Sequence, residues 1–222
     1  MSVSYVVLAA GKGSRLKSLV PKPFVPLINK SSLQFILEKL SQKPYVVLSK
    51  EGMILAEQLN CFKVLQKEQL GTGHAIKCLL NSYNITTEYL CVLLGDMPLL
   101  KKESIEKFSL LQPENYAVAY AIKKNPDHYG RIVETSQGFV IKHELNEEEK
   151  KIQKINTGMM LFNVSFLKEA IKYIKKTDQE YYITDLIQED LKGSLFEISE
   201  EESFGINTQE ELQVVRTILQ KS

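Results

Sequence analysis

The chain has 222 residues, a formal net charge of +1 and 44% hydrophobic residues. That size suits one large α/β domain over residues 1–222, with a core that needs no metal or disulfide staple. Near-neutrality gives no overall pull on nucleic acid or membrane, so an anionic ligand must be met by a local cluster of cations.

In chain order, residues 5–8 read as a buried strand ending in Ala9-Ala10-Gly11-Lys12-Gly13-Ser14-Arg15. Small residues and glycines let the backbone approach a ligand and turn its N–H groups toward an anion. Lys12, Arg15, Lys17 and Lys22 follow closely, whereas the first acidic residue is Glu38. Val6 stands where a Walker loop needs glycine, and Leu16 where a dinucleotide fingerprint needs its third small residue. Lys22 lies between Pro21 and Pro23, which restrict the backbone on both sides of it. An ordinary strand-to-helix turn with surface lysines is the bland reading of this stretch.

Ser31 and Gln34 have capping-box spacing before a helix reaching Ser41. Strands are expected at 45–48 and 62–65 around a short helical segment, the alternation of a mostly parallel sheet with helices on both faces. In such sheets ligands bind beyond the carboxyl ends of the strands. Residues 66–75 then offer Gln66, Gln69 and a Gly71-Thr72-Gly73 turn. An amide carries both donor and acceptor and can read a nucleobase edge, although a plain capped turn is equally consistent. Thr72 is expected to cap a helix over 75–80, and His74 at its start reads as structural.

The most apolar strand, 90–94, ends in Gly95-Asp96 and is expected at the centre of the sheet. A carboxylate directly after a buried strand points into the crevice of the glycine loop, which makes Asp96 the leading metal-ligand candidate. A helix at 102–111 and a strand at 116–122 precede Tyr129-Gly130-Arg131, the mouth of a hairpin whose second strand covers 139–144. Residues 155–163 return as a strand with polar Asn156 and Thr157 at its mouth. Helices are expected at 166–174 and 180–191, a strand at 195–198, and a last helix from Gln209 capped by Thr208.

Cys61, Cys78 and Cys91 form no Cys-x-x-Cys pair, so neither a disulfide framework nor a zinc knuckle is expected. No cationic leader precedes a long apolar run, and none approaches the roughly 18 residues of a membrane span, so a cytoplasmic location is expected.

Taken together, residues 8–15, Pro21-Lys22, 66–75, Gly95-Asp96, 129–132, 155–158, 180–185 and 205–207 resemble the sugar-1-phosphate nucleotidyltransferases. Within that family they are most similar to the uridyltransferase half of the bacterial bifunctional N-acetylglucosamine-1-phosphate uridyltransferases, without the acetyltransferase β-helix. The resemblance implies a Rossmann-like, mixed and mostly parallel sheet between helices, with a small hairpin insertion. It implies attack of a sugar-1-phosphate oxygen on the α-phosphorus of a nucleoside triphosphate, with UTP the expected nucleotide, N-acetylglucosamine-1-phosphate a candidate acceptor, and pyrophosphate leaving.

By the same resemblance, Arg15 and Lys22 are catalytic. Leu8, Ala9, Ala10, Gly11, Gly13, Ser14, Gln66, Gln69, Gly71 and Thr72 bind nucleotide, and Asp96 with Asn207 holds Mg²⁺. Gly130, Glu144, Asn156 and Thr184 line the sugar pocket. The family's sugar-gripping glutamate falls at Lys142 in one register and at Glu144 in another, and Leu94 replaces a frequent tyrosine. A cytidylyltransferase activating an alcohol phosphate such as phosphocholine, and a non-catalytic nucleotide-sugar-binding protein, are the alternatives. Neither nucleic acid nor membrane is an expected partner, and the oligomeric state is open.

Overall fold

A computed structural model of the chain describes residues 2–11, 13, 16, 18–126, 129–177 and 180–221. Strands β1 (Val3–Ala9), β2 (Tyr45–Leu48), β3 (Phe62–Leu65) and β4 (Tyr89–Leu94) run parallel, in the spatial order β3-β2-β1-β4. The sheet continues through β8 (Lys154–Asn163), β5 (Tyr116–Ile122) and β9 (Gly193–Glu197). β8 is antiparallel to both β4 and β5. Its first residues therefore lie beside the last residues of its neighbours. The hairpin of β6 (Arg131–Glu134) and β7 (Phe139–Lys142) hangs from β8 through Arg131 and Ile155.

Continuous apolar runs form the inner strands because both faces are covered. On one face Val6, Leu8, Leu90 and Val92 pack with Ile76 and Leu79 of α3 (Thr72–Ser82) and Leu167 of α5 (Val164–Ala170). On the other, Tyr5, Val7, Cys91 and Leu93 meet Leu33 and Ile36 of α1 (Ser32–Leu37), with Ile105 and Phe108 of α4 (Lys102–Ser109). Odd and even residues of one strand thus feed separate cores, as the two-residue side-chain period requires. Helix α2 (Lys50–Leu55) joins β2 to β3. A third cluster joins Leu16, Val25 and Leu27 to Leu212 and Val215 of α6 (Gln209–Lys221), so the last helix covers the segment after the glycine loop.

The Ser31 capping box forms as expected, and Thr208 Oγ1 accepts from Glu211 N at 3.2 Å. Two expectations are corrected. Gly71, not Thr72, is the cap residue of α3, and Thr72 Oγ1 instead accepts from Ile183 N at 3.0 Å. The helix expected over 180–191 is only a 3₁₀ turn, Ile183–Leu186. Tyr181 has already committed its N–H to Leu70 O and its carbonyl to Gly73 N, leaving neither for a helix. The three cysteines are free. No described helix is long and apolar enough to cross a membrane.

Glu202, 3% exposed, ties the turn before α6 to the start of α4. Its carboxylate accepts from Lys101 N at 3.1 Å and from Ser199 Oγ at 2.8 Å. Burial alone would raise its pKa, but hydrogen bonds from Ser104, Lys101 and Ser199 outweigh that and hold it below the ordinary value of 4.5. A depressed folded-state pKa gives stability that is present above the unfolded value and lost as the pH falls through the folded one. Glu202→Gln is expected to cost about 1–3 kcal/mol at neutral pH, because the new NH₂ group, whichever carboxylate oxygen it replaces, faces a backbone N–H that has lost its acceptor. Urea titrations should show that gap closing as the pH drops below 4.5.

Candidate functional site

The site lies where β1 and β4 end. Gly95 N donates to Leu8 O at 2.9 Å, so the two strand ends stay in register into their loops. The 3₁₀ turn Lys22–Phe24 then presents Lys22 to the end of β4. Its Nζ forms an ion pair with Asp96 Oδ2 and donates to Asn207 Oδ1 at 2.7 Å. Residues 185 positions apart are joined there by a single ammonium group. A Cβ on Gly13 (φ +61°) would stand 2.8 Å from Lys22 Cβ, so the glycine loop packs directly on the lysine stem.

Asn207 is held by the start of α6, where Glu211 Oε2 accepts from Asn207 N at 2.7 Å and Thr208 N at 3.0 Å. Ile206 N donates to Asp96 O at 3.0 Å, which fixes the Asn207 loop against the end of β4.

Two cavities meet at this cluster. The larger, about 360 Å³, is lined by Leu8, Ala10, Gly11, Gly13, Lys22, Gln66, Gln69, Gly71, Thr72 and Asp96. Ten of the residues expected from the sequence are thus brought together. Ala9 is fully buried in the opposite core, and Ser14 and Arg15 lie outside the described residues. Glu180, given no role from the sequence, also lines this cavity, because residues 180–183 are strapped across the start of α3. Its signal was Gly71, whose positive φ lets Tyr181 lie against it.

The smaller cavity, about 170 Å³, is lined by Gly130, Asn156, Asp96 and Asn207, with Leu94, Tyr129, His143, Thr157 and Gly158 among its other walls. Asn156 N donates to Gly130 O at 2.9 Å, and its Oδ1 accepts from Gly158 N at 3.0 Å. Leu94 and Asp96 line both cavities. Glu144 is exposed and Thr184 is buried, and neither is among the lining residues. Lys142 is paired with Glu149 at 2.6 Å.

His143 takes the position facing the cavity. The Arg131↔Lys142 register sets it opposite Gly130, where a Cβ would come within 2.8 Å of its ring. It keeps much of its surface in solvent, yet desolvation lowers its pKa while Asp185 opposes the change. Burial first, then the charge of Glu211, pushes the Tyr129 phenol up to about 12, so it stays protonated.

Asp96 and Asn207 present one carboxylate and one amide oxygen to a common cation, here the lysine ammonium. Two hard oxygens suit Mg²⁺, which completes its shell with water and phosphate. Among the described residues no group of three or more His, Cys, Asp or Glu is placed to hold a metal. Asp96 and Asn207 are thus the two oxygen donors here that fit a hard divalent ion.

The chain is 30% identical to the bifunctional protein GlmU of Clostridium perfringens over 99% of its own length and 52% of that protein's. It is 33% identical to GlmU of Clostridioides difficile, covering 100% of this chain and 52% of that one. It thus spans about half the length of these curated relatives. A solved structure of a putative glucose-1-phosphate thymidylyltransferase from Bacillus anthracis superposes with a TM-score of 0.79 at 17% identity, covering 100% of this chain and 96% of that one, and so shares the fold. The family model of MobA-like NTP transferase domains matches residues 5–173, and the chain belongs to that family.

Proposed function

We propose that the chain is a Mg²⁺-dependent nucleotidyltransferase that joins a nucleoside triphosphate, UTP, to a sugar-1-phosphate, with N-acetylglucosamine-1-phosphate the first acceptor to try. The observation that carries this reading is Lys22 between Asp96 and Asn207 at the junction of the two cavities. A phosphate in each cavity would bring two anions toward this one ammonium. Catalysis here consists of positioning and charge neutralisation rather than a protein nucleophile.

The acceptor phosphate oxygen forms the new bond to the α-phosphorus, the α–β bridging bond breaks, and its electron pair leaves with pyrophosphate. Lys22 neutralises the approach of the two phosphates. Gly11 and Gly13 bring backbone to the triphosphate, and Gln66, Gln69, Gly71 and Thr72 surround the base. Asp96 and Asn207 would hold Mg²⁺, which supplies charge stabilisation to phosphate oxygens when bound. Gly130 and Asn156 face the acceptor with His143, in a cavity where Leu94 adds an apolar wall.

A matrix of nucleoside triphosphates against sugar-1-phosphates and phosphocholine, read by pyrophosphate release with and without Mg²⁺, tests this reading. Release is expected only with UTP, a hexose- or hexosamine-1-phosphate and Mg²⁺ together. CTP with phosphocholine as the active pair would replace it with the cytidylyltransferase reading. Tight UDP-sugar binding without pyrophosphate exchange would replace it with a binding protein.

A further inference from the structure

His74 stands in the first turn of α3 and is not among the residues lining either cavity, yet it touches a residue that lines the larger one. Gln66 is 4% exposed, and its side-chain nitrogen donates to Gly71 O at 3.0 Å and lies 3.2 Å from His74 Nδ1. A backbone carbonyl only accepts, so the Gly71 contact identifies the nitrogen end of this amide without appeal to the imidazole. With one N–H on that carbonyl, the other meets His74 Nδ1, which must then be the unprotonated ring nitrogen. The ring proton is left on Nε2, 3.7 Å from Cys78 Sγ. Both donors of Gln66 are thus used inside the protein, and Oε1 has no partner among the described residues.

We infer that His74 is a positioning residue for nucleobase selection, holding Gln66 so that only its carbonyl oxygen is offered to the base. This rests on the nucleotidyltransferase reading and on Gln66 facing the base. An acceptor at that place pairs with bases carrying a ring N–H at the centre of the pairing edge, as uracil, thymine and guanine do. It repels the lone pair that cytosine and adenine place there. If His74 offers no acceptor, one Gln66 N–H is released and can donate to the cytosine ring nitrogen. The selection weakens without any change at the phosphates.

The test measures kcat and KM for UTP and CTP in the full chain and in three variants. His74→Leu is expected to lower the UTP-over-CTP ratio of kcat/KM by about tenfold or more, through KM, since a mispaired buried donor or acceptor carries discrimination of this order. His74→Asn, whose Oδ1 can replace Nδ1 as acceptor, is expected to keep the ratio within about threefold by the same reasoning. Nitrogen-15 spectra of the wild-type histidines should show His74 protonated on Nε2, and a proton on Nδ1 overturns the inference even if the leucine variant does not fold. Equal losses for both nucleotides in His74→Leu also overturn it, leaving a structural role. Gln66→Leu separates the two levels. If it lowers the ratio and His74→Leu does not, the inference fails alone. If Gln66→Leu leaves the ratio unchanged, the base reading and the inference fall together.

Discussion

Lys22→Met is expected to lower pyrophosphate release by about three orders of magnitude or more, the scale seen when a preorganised cation at a phosphoryl-transfer site is removed. Methionine keeps most of the stem packed against Gly13 and between the two prolines, so the fold should persist. What disappears is the charge shared by Asp96 and Asn207. The same variant should gain something measurable. With the ammonium gone, the Asp96 carboxylate, whose side chain is only 15% exposed, loses its neutralising partner. A divalent ion then binds without first displacing a lysine. Thermal melts with Mg²⁺ or Mn²⁺ and no nucleotide are expected to show a larger metal-induced rise in Tm for Lys22→Met than for wild type. Unchanged turnover would remove Lys22 from the reaction, and identical metal responses would remove it from the ion's place.

The second large effect is structural. Gly71 has φ +93° and ψ 177°, a region that side chains other than glycine rarely occupy. A Cβ there would stand 2.6 Å from Tyr181 O and 2.9 Å from Tyr181 N. Neither backbone atom can yield easily, since Tyr181 N donates to Leu70 O at 2.8 Å and Gly73 N donates to Tyr181 O at 2.7 Å. Gly71→Ala is expected to cost about 2–4 kcal/mol and to lower Tm by roughly 5–15 °C. Because Gly71 O also anchors Gln66, KM for the nucleotide should rise alongside. Gly11→Ala is the control for stability, as nothing lies within 4 Å of its Cβ position. Differential scanning calorimetry of the two variants decides the point, and equal melting temperatures would refute the strap.

The inner strands at 45–48 and 116–122 were legible because burial on both faces leaves one composition possible for them, and they match the observed strands end to end. The edge strand at 62–65 matches as well, although Phe62 and Leu65 are exposed. Much of the larger cavity was legible too, since glycines at strand ends and the prolines around Lys22 act through local backbone geometry. What stayed hidden depends on contacts distant in sequence. The run from Glu180 carries a helical pattern, but the backbone groups of Tyr181 and Ile183 are taken by Leu70, Thr72 and Gly73, which no local propensity records. His143 could have been found by counting back through the hairpin, whose turn at residues 135–138 closes with Thr135 N donating to Gly138 O at 2.8 Å. That register places Gly130 opposite His143, whereas a strand drawn on to residue 144 invites a choice between Lys142 and Glu144. The tautomer of His74 needed the position of Gly71 O, which only the folded chain supplies.

The two cavities draw their walls from separate stretches of chain and share only Leu94, Asp96 and the atoms around them. Leu8, Ala10, Gly11, Gly13, Lys22 and Pro23, with residues in 66–75 and Glu180, serve the larger, while residues in 129–143, 156–158 and 203–207 serve the smaller, reached through a strand running opposite to β4. Such a division lets one substrate be exchanged for another while the machinery for its partner stays intact. If the smaller cavity takes the acceptor as proposed, substitutions at 143, 156 or in the hairpin retune it independently, whereas any change at Leu94 meets both substrates at once. On the proposed reading the end of β4 is therefore the part of the site least free to change for one substrate alone, and grafting a hairpin from a relative is the direct way to test for a new acceptor.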